Sequence, residues 1–240
     1  MNNIFISKGY LDTSLRVFLF LVLIVLISSV FMTNSVQAFL IPQCQEIAAS
    51  EANPIDYLAL VNKQNPLPET WEDDVEIVHM TNSLGDDVEV EKKAYDAYLR
   101  LKEALAEEGV FVDLDSAYRS VAAQQQIVEE FTERYGEDYV KKYVAVPGYS
   151  EHHTGLALDL YLNIDGVDVY MNEDMVQYPE IWAKIHAKLP EFGFILRYLE
   201  GKEDITGYSY EPWHIRYIDD VELAKEITEN GLTFEEYLAK

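Results

Sequence analysis

The chain has 240 residues, of which 49% are hydrophobic and 25% charged, a composition typical of a globular protein with a packed core. Its formal net charge is −25, and so acidic a surface repels phosphates and anionic lipid, which excludes a nucleic-acid substrate. The single cysteine, Cys44, excludes an internal disulfide and a thiolate cage around a metal.

Residues 1–38 carry the features of an export segment. Basic residues precede an apolar run over residues 17–32, and the small residues up to Ala38 resemble a signal-peptidase site. The run is slightly short for a membrane span, which takes about 20 apolar residues, so a cleaved signal peptide and an uncleaved anchor both remain open. No Lys or Arg lies between Arg16 and Lys63, so in either case we expect the rest of the chain outside the membrane, anchored or secreted into the cell envelope.

Residues 39–54 are predicted to be a tether, and residues 55–240 one α+β domain, because no linker or repeat divides them. Apolar periodicity and turn residues predict its elements. In chain order these are a strand or short helix at 55–62, a strand at 75–80, a helix at 88–108, a strand at 110–115, a helix at 122–135, a helical or extended segment at 139–146, a strand at 156–162, a hairpin turn at 165–166, a helix at 180–189, a short strand near 195, a strand at 212–218 and helices at 219–229 and 233–240.

The string Ser-Glu-His-His-Thr-Gly-Leu-Ala-Leu-Asp at residues 150–159 combines histidines with a carboxylate. Its pattern predicts a loop that carries His152 and His153 and leads into a strand that contains Asp159. A carboxylate within an apolar strand is costly to bury unless a positive charge such as a metal ion pairs with it. The alternative is that Asp159 lies on a solvated strand face. Adjacent histidines in a loop point in different directions, so we expect only one of them to bind a metal.

The string Glu-Pro-Trp-His at residues 211–214 supplies a further histidine and carboxylate. Glu211 and His214 fall on opposite faces of a regular strand, so a break near Pro212 must turn Glu211 towards a metal. Together with residues 150–159 the string offers three N/O ligands and leaves a position open, as catalytic metal sites do. Glu211 is then available to move protons. The alternatives are a surface acid at Glu211 and a satisfied core histidine at His214.

Arg119 lies at the end of a predicted strand and is one of only 18 basic residues. A guanidinium there can bind a substrate carboxylate in a forked contact or stabilise an oxyanion. The alternative is a surface salt bridge to one of the many acids nearby.

These strings together resemble the signatures of VanY-like zinc D-alanyl-D-alanine carboxypeptidases, which belong to the LAS-type peptidoglycan peptidases. Residues 150–159 match the signature S-x-H-x-x-G-x-A-x-D, and residues 211–214 match E-x-W-H. Residues 116–120 with Gln124 resemble the substrate-binding string S-x-Y-R-S followed by Gln. The resemblance spans roughly residues 55–218, with all three strings in order.

The resemblance implies a role for seven residues. The Zn²⁺ ligands would be His152, Asp159 and His214. Glu211 would be the general base and acid, and Arg119 would grip the substrate or stabilise the tetrahedral intermediate. The residues that hold the terminal group of the peptide would be Gln124 and Ser150.

The resemblance also implies a fold and an activity. The fold is a small α+β domain with an antiparallel sheet flanked by helices and zinc in the central cleft. The activity is D,D-carboxypeptidase hydrolysis of the terminal D-Ala-D-Ala bond of peptidoglycan stem peptides. The alternatives are an L,D-carboxypeptidase or peptidoglycan endopeptidase on the same scaffold, and a non-catalytic wall-binding domain that zinc stabilises. We expect a monomer.

Overall fold

The computed structural model describes residues 55–240. The signal peptide or anchor expected at residues 1–38 and the tether expected at 39–54 lie outside the described residues. Within the described part of the chain, no helix combines the length and apolar character that a membrane crossing requires.

The strands of the described residues form two antiparallel sheets. The smaller sheet is a hairpin of β1 (Ile77–Thr81) and β2 (Asp87–Glu91). The strands of the larger sheet are β3 (Phe111–Ser116), β4 (Ala157–Ile164), β5 (Val167–Val169), β6 (Phe194–Leu196) and β7 (His214–Tyr217). Their order is β3–β4–β7–β6, and β5 also pairs with β4.

Helices flank these sheets. In chain order they are α1 (Trp71–Asp74), α2 (Lys92–Glu107), α3 (Val121–Tyr135), α4 (Glu137–Tyr143), α5 (Asn172–Met175), α6 (Pro179–Lys188), α7 (Glu203–Thr206), α8 (Val221–Glu229) and α9 (Phe234–Leu238). Two 3₁₀-helices lie at Glu151–Thr154 and Leu189–Phe192. The architecture confirms the α+β class with a small antiparallel sheet.

The core lies between α2 and the larger sheet. The buried side of α2 consists of Ala94, Ala97, Tyr98, Leu101 and Leu105, whose spacing of three to four residues forms one helical stripe. Strand β4 is central and has neighbours on both edges, so its middle residues are held from both sides.

The helix predicted at 88–108 is wrong at its start. Residues 88–91 belong to β2, where Val88 and Val90 are buried and alternate with acidic residues, the period-two pattern of a strand. The helix begins at Lys92 because the Glu91 carboxylate accepts a hydrogen bond from the Ala94 N–H at 2.8 Å and caps it.

Most other predicted elements agree with the structure except at their ends. Residues 139–143 of the open 139–146 segment are helical and belong to α4. The strand or short helix predicted at 55–62 is wrong, because these residues form only turns and irregular backbone. The predicted hairpin turn joins β4 to β5, with positive φ at Asp165 (52°) and Gly166 (84°). The last strand begins at His214 rather than at residue 212.

Candidate active site

Two predicted ligands face each other across neighbouring strands. Asp159 in β4 and His214 in β7 are direct partners in the antiparallel register, so both side chains point to the same side of the sheet. The Asp159 Oδ1 atom lies 2.9 Å from His214 Nδ1. The sheet therefore brings together two residues that are far apart along the chain.

The third predicted ligand comes from the turn before β4. His152 lies in the 3₁₀-helix Glu151–Thr154, and its Nε2 atom is 3.1 Å from Asp159 Oδ2. Gly155 ends this turn with φ +72°, and a Cβ there would approach the Glu91 backbone nitrogen at 3.1 Å. Glycine has no Cβ to make that tight contact, and it adopts the positive φ without strain. Ligand atoms of His152, Asp159 and His214 all lie within 4.8 Å of one another.

Hydrogen bonds orient the rings of both histidines. His152 Nδ1–H donates to the Ala117 carbonyl at 2.7 Å, which leaves Nε2 as the free electron-pair donor towards Asp159. His214 Nε2–H donates to the Glu151 carboxylate at 3.3 Å, which leaves Nδ1 facing the same point. Metal-binding histidines are usually oriented by such outer partners.

The electrostatics of this cluster favour a cation. Burial lowers the pKa of His214, but Asp159 and Glu151 outweigh it and raise the pKa to about 10. Burial raises the pKa of Asp159, yet His152 and His214 bring it well below its usual value. Two imidazoles and a carboxylate in such surroundings fit a divalent metal with a preference for N and O ligands, and Zn²⁺ is one.

Glu211 reaches the cluster through a turn rather than a strand. The His214 N–H donates to the Glu211 carbonyl at 3.2 Å, and Pro212 and Trp213 form the turn between them. This is the break that the sequence requires, and it places Glu211 Oε2 3.9 Å from His214 Nδ1. Burial, with a contribution from Asp159, raises the pKa of Glu211 to about 7 although His214 opposes this.

Arg119 faces the same cluster and is not in a surface salt bridge. Its Nη1 donates to the Gln124 side-chain oxygen at 2.9 Å, and its Nη2 donates to the Ser116 hydroxyl at 3.0 Å. Gln124 is itself buried and donates to the Ala145 carbonyl at 2.9 Å. The guanidinium is therefore held in one orientation while part of its edge stays open.

A single cavity of about 420 Å³ contains all of these groups. Its walls include the seven residues predicted from the sequence, namely His152, Asp159, His214, Glu211, Arg119, Gln124 and Ser150. Aromatic side chains complete the walls, among them Tyr198, Tyr208 and Trp213. Residues 87–220 also match the family model of VanY, D-alanyl-D-alanine carboxypeptidase. The chain belongs to the VanY family.

Curated relatives agree with this assignment. A D-alanyl-D-alanine carboxypeptidase of Enterococcus faecalis is 36% identical over 190 residues, which cover 75% of this chain and 65% of that protein. The bifunctional D-Ala-D-Ala dipeptidase and carboxypeptidase VanXYC of Enterococcus gallinarum is 34% identical over 185 residues, or 75% of this chain and 92% of the relative.

Solved structures of similar carboxypeptidases have the same fold. The VanY D,D-pentapeptidase of a VanB-type vancomycin resistance cassette, in complex with Zn(II), has a TM-score of 0.64 and 35% identity over 77% of this chain and 99% of its own. The LD-carboxypeptidase LdcB has a TM-score of 0.67 and 38% identity over 77% of this chain and 86% of its own. Membership of the VanY family makes the chain a carboxypeptidase-type hydrolase of the metallopeptidase class.

A buried charge network that the sequence does not predict lies beneath the VanY-type site. Glu151 Oε1 accepts from Arg197 Nε at 2.9 Å and from Arg216 Nη1 at 2.7 Å, while its other oxygen faces His214. Arg197 also forms a forked pair with Glu235 in α9. Burial raises the pKa of Glu151, but the two arginines bring it well below its usual range. The one indication of this network in the sequence is Arg216 in the apolar strand β7, because buried arginines are nearly always paired.

His153 is not a ligand but a buried link between two loops. Its Nε2 accepts from the Gly148 N–H at 3.0 Å, so Nδ1 carries the proton and donates to the Arg119 carbonyl at 2.6 Å. The Arg119 N–H in turn donates to the His152 carbonyl at 3.0 Å. The turn that carries His152 and the loop that carries Arg119 are thus one hydrogen-bonded unit.

We expect His153→Ala to lower the free energy of unfolding by about 2–4 kcal/mol, because two buried backbone groups lose their partners. Urea denaturation measures the loss. His153→Gln offers one donor and one acceptor and should recover part of it. The matched control is His79→Ala, whose side chain is 72% exposed and should change stability little. Equal stability of the two alanine variants would contradict the linking role of His153.

Proposed function

We propose that this chain is a zinc-dependent D,D-carboxypeptidase that hydrolyses the terminal D-Ala-D-Ala bond of peptidoglycan stem peptides. The observation that carries the proposal is the convergence of His152, Asp159 and His214 within 4.8 Å, in one cavity with Glu211 and Arg119. The similar VanYB structure is a complex with D-alanine-D-alanine, which supports this substrate class.

Different residues of the cavity bind the metal and transfer protons. His152, Asp159 and His214 would hold Zn²⁺, which when bound polarises a carbonyl and lowers the pKa of water. The Glu211 carboxylate takes the proton of the attacking water and returns it to the leaving amine. Its pKa of about 7 suits both directions of proton transfer.

Arg119 supplies the fixed positive charge. Hydrogen bonds to Ser116 and Gln124 set the direction of the guanidinium, and its remaining N–H groups can donate to a substrate carboxylate or to the developing oxyanion. Ser150 lines the same cavity, where it can contact the terminal group of the peptide. Because the Arg119 guanidinium is already oriented, its side chain loses little conformational entropy when a substrate binds.

An L,D-carboxypeptidase is the second candidate. It is favoured by the likeness to LdcB, whose TM-score of 0.67 is slightly above the 0.64 of VanY. Hydrolysis at the metal is the same in both reactions, so the cavity beyond the metal must select the residue that precedes the cleaved bond.

We further propose that the enzyme works as a monomer outside the cytoplasmic membrane, anchored or secreted. The export features of residues 1–38 and the net charge of −25 support this location. A cell-wall substrate lies on the same side of the membrane.

The intact Glu211 argues against a purely wall-binding role, since binding alone needs no base.

Defined stem peptides test the proposed function. The enzyme is incubated with pentapeptide and tetrapeptide stems, and the released alanine is identified by mass spectrometry. We expect loss of one D-Ala from the pentapeptide only, no turnover after treatment with a chelator, and recovery when Zn²⁺ is added back. Trimming of the tetrapeptide alone would establish the L,D-activity instead. Failure on both stems would contradict a carboxypeptidase.

A further inference from the structure

Four aromatic side chains form a continuous row on α3 and α4. Phe131, Tyr135, Tyr139 and Tyr143 recur at every fourth position, and successive ring centroids are 5.5, 4.8 and 4.7 Å apart. We call these four residues the aromatic strip. Within each helix, side chains four apart lie on one face, and Tyr139 of α4 packs against Tyr135 of α3 across the break at Gly136.

Core packing does not explain the aromatic strip. Tyr135, Tyr139 and Tyr143 are 48%, 38% and 43% exposed, and the only fully buried residue of α3 is Gln124. Contacts between residues four apart stabilise a helix by about 0.2–0.5 kcal/mol per pair. Such contacts do not require tyrosines with so much of their surface in water.

The aromatic strip is continuous with the catalytic cavity. Phe131 and Tyr143 belong to the cavity wall, whereas Tyr135 and Tyr139 lie beyond it. A substrate whose reacting end occupies the cavity can therefore extend over the outer two rings. A stem peptide is attached to a sugar chain at the end opposite its terminal alanine, so the outer rings lie where a non-reacting part of the substrate can go.

The chemistry of the strip suits neutral sugar rings. Aromatic faces carry negative charge density that attracts polarised C–H groups, which line the faces of pyranose rings, and tyrosine hydroxyls can exchange hydrogen bonds with sugar hydroxyls. The net charge of −25 disfavours polyanionic polymers and anionic lipid.

We infer that the aromatic strip is a subsite for the sugar rings that carry the stem peptide. The inference rests on the proposed function and deepens it, because it makes the glycan-linked peptide, rather than the free peptide, the preferred substrate. Interactions with parts of the substrate remote from the cleaved bond are a common source of such preference.

Paired substrates test this inference. We compare kcat/KM on a free stem pentapeptide with kcat/KM on the same pentapeptide joined to its disaccharide. We expect the wild type to prefer the disaccharide form roughly tenfold, as about 1.4 kcal/mol of added binding would give. The double variant Tyr135→Ala and Tyr139→Ala should lose this preference and keep its kcat/KM on the free peptide. Neither residue lines the cavity, so turnover of the free peptide also reports that the variant is folded.

Two further variants keep the test decisive. Tyr139→Leu retains apolar bulk on α4 and replaces the alanine variant in the test if that variant is unstable. It should also reduce the preference for the disaccharide form. Phe111→Ala is the matched control, since this ring is 54% exposed and lines no part of the catalytic cavity. The control should keep the wild-type preference.

The outcomes separate the inference from the proposed function. If the wild type cleaves both substrates equally well, the sugar subsite is overturned and the carboxypeptidase stands. If the wild type cleaves neither substrate, the proposed function fails, and calorimetry with the disaccharide alone tests the subsite. Disaccharide binding that the double variant loses supports the subsite. Absence of disaccharide binding to the wild type overturns it. Sedimentation showing a wild-type dimer that the double variant abolishes would assign the strip to a second copy and overturn the inference.

Discussion

Glu211→Gln is expected to lower kcat on the pentapeptide by about 10²–10⁴-fold, the usual contribution of general acid and base catalysis. The amide keeps the shape of the side chain but cannot accept the proton of the attacking water. Zinc binding should persist, because Glu211 is outside the ligand triad and its carboxylate lies 3.9 Å from His214 Nδ1. Steady-state kinetics and metal analysis of the purified variant measure the two effects separately.

The control for this prediction is Glu200→Gln, which makes the same change at an exposed acid outside the cavity. Its kcat should equal that of the wild type. Undiminished turnover in Glu211→Gln would remove this residue from the mechanism. Loss of turnover together with loss of zinc would show instead that Glu211 supports the metal.

The sequence predicted the members of the site better than it predicted their support. His152, Asp159 and His214 lie in short strings whose chemistry is visible in the residue types, and the leucines on both sides of Asp159 mark it as a carboxylate within an apolar strand. The outer partners carry no such signal. Ala117 acts through its backbone carbonyl, which any residue possesses, and Glu151 is one acid among 43 acidic residues.

The fold was predictable where one hydrophobic period dominates. The 3.6-residue stripe of α2 is visible in the sequence, but the preceding Asp-Val-Glu-Val-Glu segment is strand because β1 pairs with it across five residues. That pairing is a tertiary contact, and helix-forming residues do not override it. For Glu211 the sequence predicted only that the strand must break near Pro212. The turn between Glu211 and His214 is that break.

Glu151→Leu is expected to lower the free energy of unfolding by about 3–5 kcal/mol, because it leaves the buried Arg216 without its carboxylate partner. Glu151, Arg197, Arg216 and Glu235 together carry no net charge, and the first three side chains are at most 1% exposed. Urea denaturation of the zinc-free protein measures the loss.

A second substitution separates the structural role of Glu151 from its role beside the metal. Adding Arg216→Leu to Glu151→Leu restores neutrality, since Arg197 keeps its forked pair with Glu235 at 2.9 and 2.7 Å. The double variant should therefore recover most of the lost stability, and a stability no better than that of the single variant would contradict the charge balance. Its zinc affinity should remain about 10–100-fold below wild type, because His214 Nε2–H has lost the carboxylate that orients the ring. Wild-type zinc affinity in the refolded double variant, measured by competition with a chelator, would show that His214 needs no carboxylate behind it.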